Sequence, residues 1–263
     1  LIAPSSAGGD DDRSTPAAEH SLLGSTHVQR FVIMPMLIVS LLGISAELAY
    51  SAWIYPFAIE RTGMESHSAA LLVSLFWSAF TCGRVCLVPL AAMLPPQVLL
   101  LPTLSVLVAA NGLVLAYPTS ASMLWLGTTG AGAGVCALFS NSISLMAHYN
   151  LLSTRVTGTL HAAAAGGHML GPSVCGYLMH HTGTGHDMLP LFCLICNTAS
   201  LLIVVYVVIY LHLNFTPVTA FNLGPLLGLK REKSGHATSE VQPTVRTSIG
   251  VSPMKRPTTY DYS

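Results

Sequence analysis

Residues 31–59, FVIMPMLIVSLLGISAELAYSAWIYPFAI, form a long apolar stretch that contains one charged side chain, that of Glu47. A helix needs about 20 residues to cross the hydrocarbon core of a bilayer, so this stretch is long enough to span a membrane with some tilt. An unpaired carboxylate near the middle of such a span costs at least about 2.5–3.5 kcal/mol. We therefore expect Glu47 to face a protein interior or a water-filled cavity and not lipid.

One face of this predicted helix is polar. Residues three and four positions apart share a side of a helix, and this side carries Gly43, Glu47, Tyr50, Ser51 and Ile54. Carboxylates at this depth commonly bind substrate or carry protons, so Glu47 is the strongest candidate for a functional residue. Tyr50 shares its face and is a candidate ligand. The structural alternative is a neutral carboxyl group that is hydrogen-bonded to a neighbouring helix.

The composition identifies the class of protein. Hydrophobic residues make up 52% of the chain and charged residues only 8%, with no net charge and a mean hydropathy of +0.61. Soluble domains carry roughly 25% charged residues, so this is an integral membrane protein. The few basic residues are scattered or lie in the tails, which argues against a nucleic-acid surface. The sequence starts without an initiator methionine or a signal-peptide pattern, and we expect it to be part of a longer protein.

Six membrane-spanning helices are predicted, and together they form an all-α bundle over residues 31–213. Their ranges are 31–59, 68–89, 97–117, 121–147, 156–179 and 188–211. Residues 1–30 and 214–263 are polar or rich in small residues and are predicted to be a disordered linker and a disordered tail. Both termini are predicted to be cytosolic, since most basic residues near the span ends then lie inside: Arg30, Arg84, Arg155, Lys230, Arg231 and Lys233, with only Arg61 outside.

Further polar residues lie in the later spans. His161 and His168 are two helical turns apart and point the same way, either as a proton relay or polar substrate contact or as structural hydrogen-bond donors. Asn141 lies in a polar stripe of the fourth span and is a candidate for either role. We interpret Asn111 and Asn197 as structural amides that bridge helices.

Glycine pairs predict close helix packing. Gly130/Gly134 and Gly167/Gly171 match the small-xxx-small pattern, and they could pack within the bundle or against a partner. The histidine-containing loop at 180–187 lacks a cysteine or carboxylate framework, so we expect no metal site and no cofactor.

Three motifs resemble the major facilitator superfamily. Residues 167–183, GHMLGPSVCGYLMHHTG, are similar to the pattern of its eleventh helix, and include Gly171 and Pro172. Residues 74–84, SLFWSAFTCGR, are similar to its eighth helix and its cytosolic exit at Gly83 and Arg84. Residues 47–55, ELAYSAWIY, resemble the branch of fucose permeases and sodium-dependent glucose transporters. The connection after Arg84 departs from the superfamily pattern, because it lacks the acidic residue and the second basic cluster.

The resemblance covers residues 28–213 and implies the C-terminal six-helix half of a transporter, whose N-terminal half would be a partner. It implies that Glu47, Tyr50 and Asn141 face a central cavity, with His161 and His168 nearby. The implied function is secondary transport of a small polar solute such as a sugar, coupled to a proton or a sodium ion. The alternatives are a half-transporter or scaffold that acts by binding, and an intramembrane enzyme, for which we find neither a Gly-x-Ser-x-Gly nor a His-Glu-x-x-His motif.

Overall fold

The computed structural model of the protein describes residues 28–183 and 185–215, and all its regular elements are helical. The prediction of an all-α bundle is confirmed. The predicted linker and tail lie outside the described residues, apart from their edges. In chain order the elements are a π-helical turn at Gln29–Ile33, α1 (Met34–Thr62), α2 (Ser66–Ala91), α3 (Pro96–Ala116), α4 (Ala121–Val135), α5 (Leu138–His148), α6 (Thr154–His181), a 3₁₀ turn at Gly185–Asp187 and α7 (Met188–Asn214).

Helix α1 is the centre of the bundle. It packs most extensively against α6 and α7, and it also contacts α2, α4 and α5. Helix α3 packs against α4 and α7, and α2 lies against α4. Because α1 is surrounded in this way, its polar central face is enclosed: Gly43, Glu47, Tyr50 and Ile54 are all buried.

Five stretches of the described chain are long and apolar enough to cross a membrane. They are Arg30–Thr62, Ser66–Ala91, Pro96–Ala116, Ala121–His148 and Gly185–Asn214. Helix α6 is 28 residues long but less apolar, since it carries Arg155, several glycines and four histidines. A helix of this composition needs shelter from lipid over part of its surface, which neighbouring protein or water can provide.

The fourth predicted span is not one continuous helix. We predicted a single helix over 121–147, whereas α4 ends at Val135 and α5 begins at Leu138. Glycine is a poor helix former, and α4 carries a glycine ladder immediately before the break. The break is therefore placed where the helix is intrinsically weakest.

The two glycine pairs both pack within the bundle. A Cβ atom on Gly167 would lie 2.5 Å from the backbone oxygen of Leu41, and one on Gly171 would collide with the backbone of Ser45. On α4, a Cβ atom on Gly134 would lie 2.7–2.9 Å from atoms of Leu107, and one on Gly130 would lie 3.0 Å from Cβ of Ala110. The absence of side chains thus lets α6 approach α1, and lets α4 approach α3.

An ion pair and a histidine–carboxylate contact join the end of α1 to the turn before α7. Arg61 donates a hydrogen bond to Asp187, and His186 lies 2.7 Å from Glu60. Gly63 caps the end of α1. Its φ of 66° is in the left-handed region that glycine adopts without strain, and its N–H donates to the carbonyl oxygens of Ala58 and Ile59. These contacts fix the connection between the first and last helices of the bundle.

A tryptophan reinforces the contact between α1 and α6. Trp53 Nε1 donates to the carbonyl oxygen of Pro172 at 2.9 Å. We expect Trp53→Phe to keep an aromatic ring but to leave this carbonyl without its indole donor, which lowers stability by about 1 kcal/mol. Thermal unfolding in detergent tests this. The control is Trp77→Phe, which retains the edge-on contacts of Trp77 with Phe76 and Phe80 and should melt like the wild type; equal losses in both variants would contradict the prediction.

Candidate functional site

A small cavity lies inside the bundle, between α1, α3, α4 and α7, and its accessible wall is mostly apolar. Its polar lining is formed by Glu47, Tyr50, Asn111 and Asn197, and Cys193 and Phe76 contribute to its wall. It has room for about one water molecule. Polar side chains from three membrane-spanning helices are therefore among the residues that line this cavity.

Tyr50 is held rigidly at the edge of this cavity. Its hydroxyl group is 3.0 Å from Oγ1 of Thr128 on α4, and either oxygen can be the donor. Its ring stacks on Phe76 of α2, with 5.3 Å between the ring centroids. Since only 2% of Tyr50 is exposed, it contributes to the cavity from a fixed position and does not reach the outside of the bundle.

Asn111 and Asn197 bring unpaired acceptors to the cavity. Both side chains are almost completely buried, with exposed fractions of 1% and 2%. Nδ2 of Asn111 donates to the carbonyl oxygen of Leu107 at 2.8 Å. The Oδ1 atoms of both asparagines are buried without a hydrogen-bond partner in the described part of the chain. Such orphan acceptors are uncommon in proteins, and each needs an explanation.

Glu47 adds a carboxylate to the same space. It is 8% exposed, and within 28–183 and 185–215 we find neither a hydrogen bond nor an ion pair for it. A carboxyl group and two asparagines whose Oδ1 atoms lack a donor in the described part of the chain thus belong to the residues that line one cavity.

Gly83 and Arg84 lie beside the break between α4 and α5. A Cβ atom on Gly83 would lie 2.7 Å from Sγ of Cys136, so this glycine allows α2 to approach the break. Nε of Arg84 donates to the carbonyl oxygen of Cys136 at 3.3 Å, and its guanidinium group lies 4.3 Å from the ring centroid of Phe80. Arg84 therefore supplies a donor to a carbonyl at the helix break.

The two predicted histidines lie away from Glu47. His161 and His168 are both on the exposed surface of α6, and we refer to this surface, with Ser173 and Tyr177, as the open face of α6. Nδ1 of His161 is 2.8 Å from the carbonyl oxygen of Thr157, and its ring meets Phe139 edge-on. The exposed surface of α6 is mixed, because Met169, Leu170 and Val174 are also exposed on it beside these polar side chains.

Asn141 lies neither among the residues that line the cavity nor on the open face of α6. It is buried on α5, with an exposed fraction of 6% and with Nδ2 unpaired among the described residues. The structure therefore brings Glu47 and Tyr50 together with Asn111 and Asn197, which the sequence did not single out as site residues. The missed signal was the presence of single amides in otherwise apolar helices.

No group of three or more His, Cys, Asp or Glu residues within the described ranges could hold a metal ion.

Known proteins resemble this chain over about half its length. The mouse (Mus musculus) protein named sodium-dependent glucose transporter 1A is 33% identical over 139 residues, 52% of this chain and 32% of that protein. The rat (Rattus norvegicus) sodium-dependent glucose transporter 1 is 28% identical over 168 residues, 64% of this chain and 34% of that protein. The zebrafish (Danio rerio) major facilitator superfamily domain-containing protein 4A is 26% identical over 137 residues, 52% of this chain and 26% of that protein.

The matched region is a limited part of these relatives. The chain spans about a quarter to a third of the length of the curated relatives it matches. No protein-family model matches the chain. The similarity therefore concerns a segment of each relative and not the whole protein.

Proposed function

Because this chain is related to proteins of the major facilitator superfamily, we propose that it forms the C-terminal six-helix half of a secondary transporter that moves a sugar across a membrane. The observation that carries the proposal is the open face of α6. Histidines on a lipid-facing surface are costly, so the exposed His161 and His168 favour contact of this part of α6 with other protein or water. Two of the relatives are named sodium-dependent glucose transporters, and this name supports a sugar as the solute.

The mechanism that we infer is rocking of two halves around a site between them. The open face of α6 lines the solute path together with the N-terminal half, which would be the partner of this chain. Glu47 couples the movement of solute to a proton or a cation. The name of the relatives, in which transport is sodium-dependent, favours sodium.

The orientation that we propose places both termini in the cytosol. Arg84 and Arg155 then lie on the cytosolic side, and the ion pairs of Arg61 and Glu60 lie on the other side. Accessibility of epitope tags at each terminus before and after permeabilisation of cells tests this orientation. Staining of either tag in intact cells would contradict it.

The transport proposal is tested with the complete natural protein in proteoliposomes. We expect uptake of radiolabelled glucose above that of empty vesicles, with competition by unlabelled sugar and with counterflow into sugar-loaded vesicles. A folded protein that binds sugar but supports neither uptake nor counterflow would favour the binding-only alternative. Absence of both binding and transport across a panel of labelled monosaccharides would contradict a sugar as the solute.

The role of the open face predicts an effect at His168. We expect His168→Phe to lower the rate of sugar uptake by about 5- to 150-fold, since losing the ligand's hydrogen-bond partner in a polar site costs on the order of 1–3 kcal/mol. The matched control is His212→Phe at the exposed end of α7, which should transport normally. Equal rates of sugar uptake by the wild type and His168→Phe would exclude a role for His168 in the solute path.

A further inference from the structure

We propose that Cys82 and Cys86 on α2 are acylation sites, to which long-chain fatty acids are attached as thioesters. The acyl donor is a long-chain acyl-coenzyme A, which is found on the cytosolic side of membranes. The inference goes beyond the proposed transport function. It relies on the proposed orientation, in which the end of α2 at Ala91 lies on the cytosolic side.

Exposure separates these two cysteines from the others. All six cysteines lie in the described part of the chain, and all are free thiols. Cys82 and Cys86 are exposed, whereas the other four are buried, with exposed fractions between 0% and 6%: Cys136, Cys175, Cys193 and Cys196. Free cysteines are among the residues that proteins bury most often, so two exposed thiols one helical turn apart need an explanation.

The surroundings of the two thiols are apolar and open. Among the five apolar stretches that could cross a membrane, α2 has the smallest share of buried residues. Val85 and Val88, beside the thiols, have exposed fractions of 67% and 71%. Lipid tails are as apolar as these side chains. A fatty acyl chain on either thiol would therefore extend into surroundings of its own chemical kind.

Helical periodicity places both thiols on the side of α2 that borders α4. Cys82 and Cys86 follow Ala79 by three and seven positions, and residues at these spacings share one side of a helix. Ala79 lies at the contact with α4, because a Cβ atom on Gly132 would lie 3.0 Å from the Cβ of Ala79. The thiols thus continue this side of α2 beyond the contact.

This side of α2 lies away from the open face of α6. On α1, Tyr50 is hydrogen-bonded to α4 and Ser45 to α6. Tyr50 and Ser45 are five residues apart and so point to different sides of α1. An acyl group beside α4 therefore does not enter the proposed solute path.

Both thiols lie near the cytosolic end of α2. The helix has 26 residues and is about 39 Å long at a rise of 1.5 Å per residue, which exceeds the hydrocarbon core of about 30 Å. Cys86 lies about 7–8 Å before the end at Ala91, and Cys82 lies one turn deeper. Arg84 lies between them, and arginine side chains near the ends of spans reach the headgroups. Cysteines at this boundary are the ones that fatty acids modify.

The reaction exchanges one thioester for another. Sγ of the cysteine, as the thiolate, attacks the carbonyl carbon of the acyl-coenzyme A. A bond forms between Sγ and this carbon, and the bond from the carbon to the sulfur of coenzyme A breaks. Coenzyme A leaves as a thiol with the proton that the cysteine lost. Nothing is oxidised or reduced, and the modification is reversible.

Metabolic labelling of the complete natural protein in animal cells tests the sites. The cells receive an alkyne analogue of palmitate, and the purified protein is coupled to a fluorescent azide. We expect a label on the wild type that neutral hydroxylamine removes, since hydroxylamine cleaves thioesters and leaves amides intact. Trypsin cuts after Arg84, so Cys82 and Cys86 fall on separate peptides, and mass spectrometry assigns the acyl group to each without any substitution.

Substitutions provide a second readout. Cys82→Ala and Cys86→Ala should each lower the label, and the double variant should lose it. The matched control is Cys175→Ala on α6, which removes a buried thiol and should keep the full label. A monodisperse peak in size-exclusion chromatography shows that each variant is folded.

The outcomes separate this inference from the proposed function. A wild type without a hydroxylamine-sensitive label overturns the acylation sites, and so does a full label on the double variant. Reaction of Cys82 or Cys86 in intact cells with a maleimide that cannot cross membranes overturns both the sites and the proposed orientation. Sugar uptake by a wild type that carries no acyl group removes the sites and leaves transport in place, whereas an acylated protein without uptake supports the sites and contradicts transport.

Discussion

Gly171→Ala is expected to destabilise the bundle by about 1–3 kcal/mol, the range typical of overpacked cores. A Cβ atom at position 171 would meet backbone atoms of Ser45 on α1, with its Cα at 2.6 Å and its carbonyl carbon at 2.8 Å. Backbone atoms cannot turn aside as a side chain can, so the helices must separate. Separation would also weaken the hydrogen bond from Trp53 to the carbonyl oxygen of Pro172, which joins the same two helices.

Gly158→Ala is the matched control on the same helix. A Cβ atom on Gly158 meets nothing within 4 Å, and glycine inside a helix costs roughly 0.5–1 kcal/mol relative to alanine. The two identical chemical changes should therefore shift the melting temperature in detergent in opposite directions, down for Gly171→Ala and up or not at all for Gly158→Ala. Equal decreases would mean that the approach of α6 to α1 is not what Gly171 provides.

The helices and the class of the fold could be predicted from the sequence because the length and hydropathy of each apolar run identify it as a membrane span. Nothing more than length and hydropathy is needed to recognise residues 31–59 as a span. The family resemblance drawn from the motifs around Glu47, Gly83 and Gly171 is confirmed by the relatives. The spacing of the glycine pairs predicted close packing, but not whether the partner helix belonged to the same bundle.

The neighbours of each helix could not be predicted in the same way. Asn111 and Asn197 lie far from Glu47 along the chain, on α3 and α7, and only the arrangement of the bundle brings them to one cavity. Their isolation in apolar helices was visible in the sequence, but a single amide has the same signature when it only bridges two helices. The common direction of His161 and His168 follows from helical periodicity, whereas their exposure depends on which face of α6 meets α1.

The break after Val135 is a further example. Glycine lowers helix propensity, yet glycine-containing spans commonly continue through the membrane when neighbours pack on them. The break coincides with the close approach of Gly83 to Cys136 and with the bond from Arg84 to the freed carbonyl. Both of these are tertiary contacts, so local sequence could indicate a weak point but could not place the interruption.

Glu47→Gln is expected to abolish accumulation of sugar against its gradient while leaving exchange of sugar across the membrane intact. Glutamine keeps the size and an oxygen acceptor but removes the charge that the coupling ion must balance in the buried cavity. Driven uptake by the wild type follows from the size of the gradient: a tenfold inward sodium gradient supplies about 1.4 kcal/mol per ion, which supports up to about tenfold accumulation when one ion moves with each sugar. The variant should equilibrate the sugar at equal concentrations inside and outside.

Glu60→Gln is the control, because Glu60 is on the same helix but is largely exposed at its end, where it pairs with His186. Removing that charge should leave accumulation at the level of the wild type. Counterflow of labelled sugar measures exchange, and uptake under an imposed sodium gradient measures coupling, both in proteoliposomes of the complete protein. Loss of both activities in Glu47→Gln would make this residue necessary for the movement itself, and uphill uptake at the level of the wild type would exclude the buried carboxylate from coupling. If the charge of Glu47 binds the driving ion outside the solute path, the variant should show the intermediate result, which is exchange of sugar without accumulation.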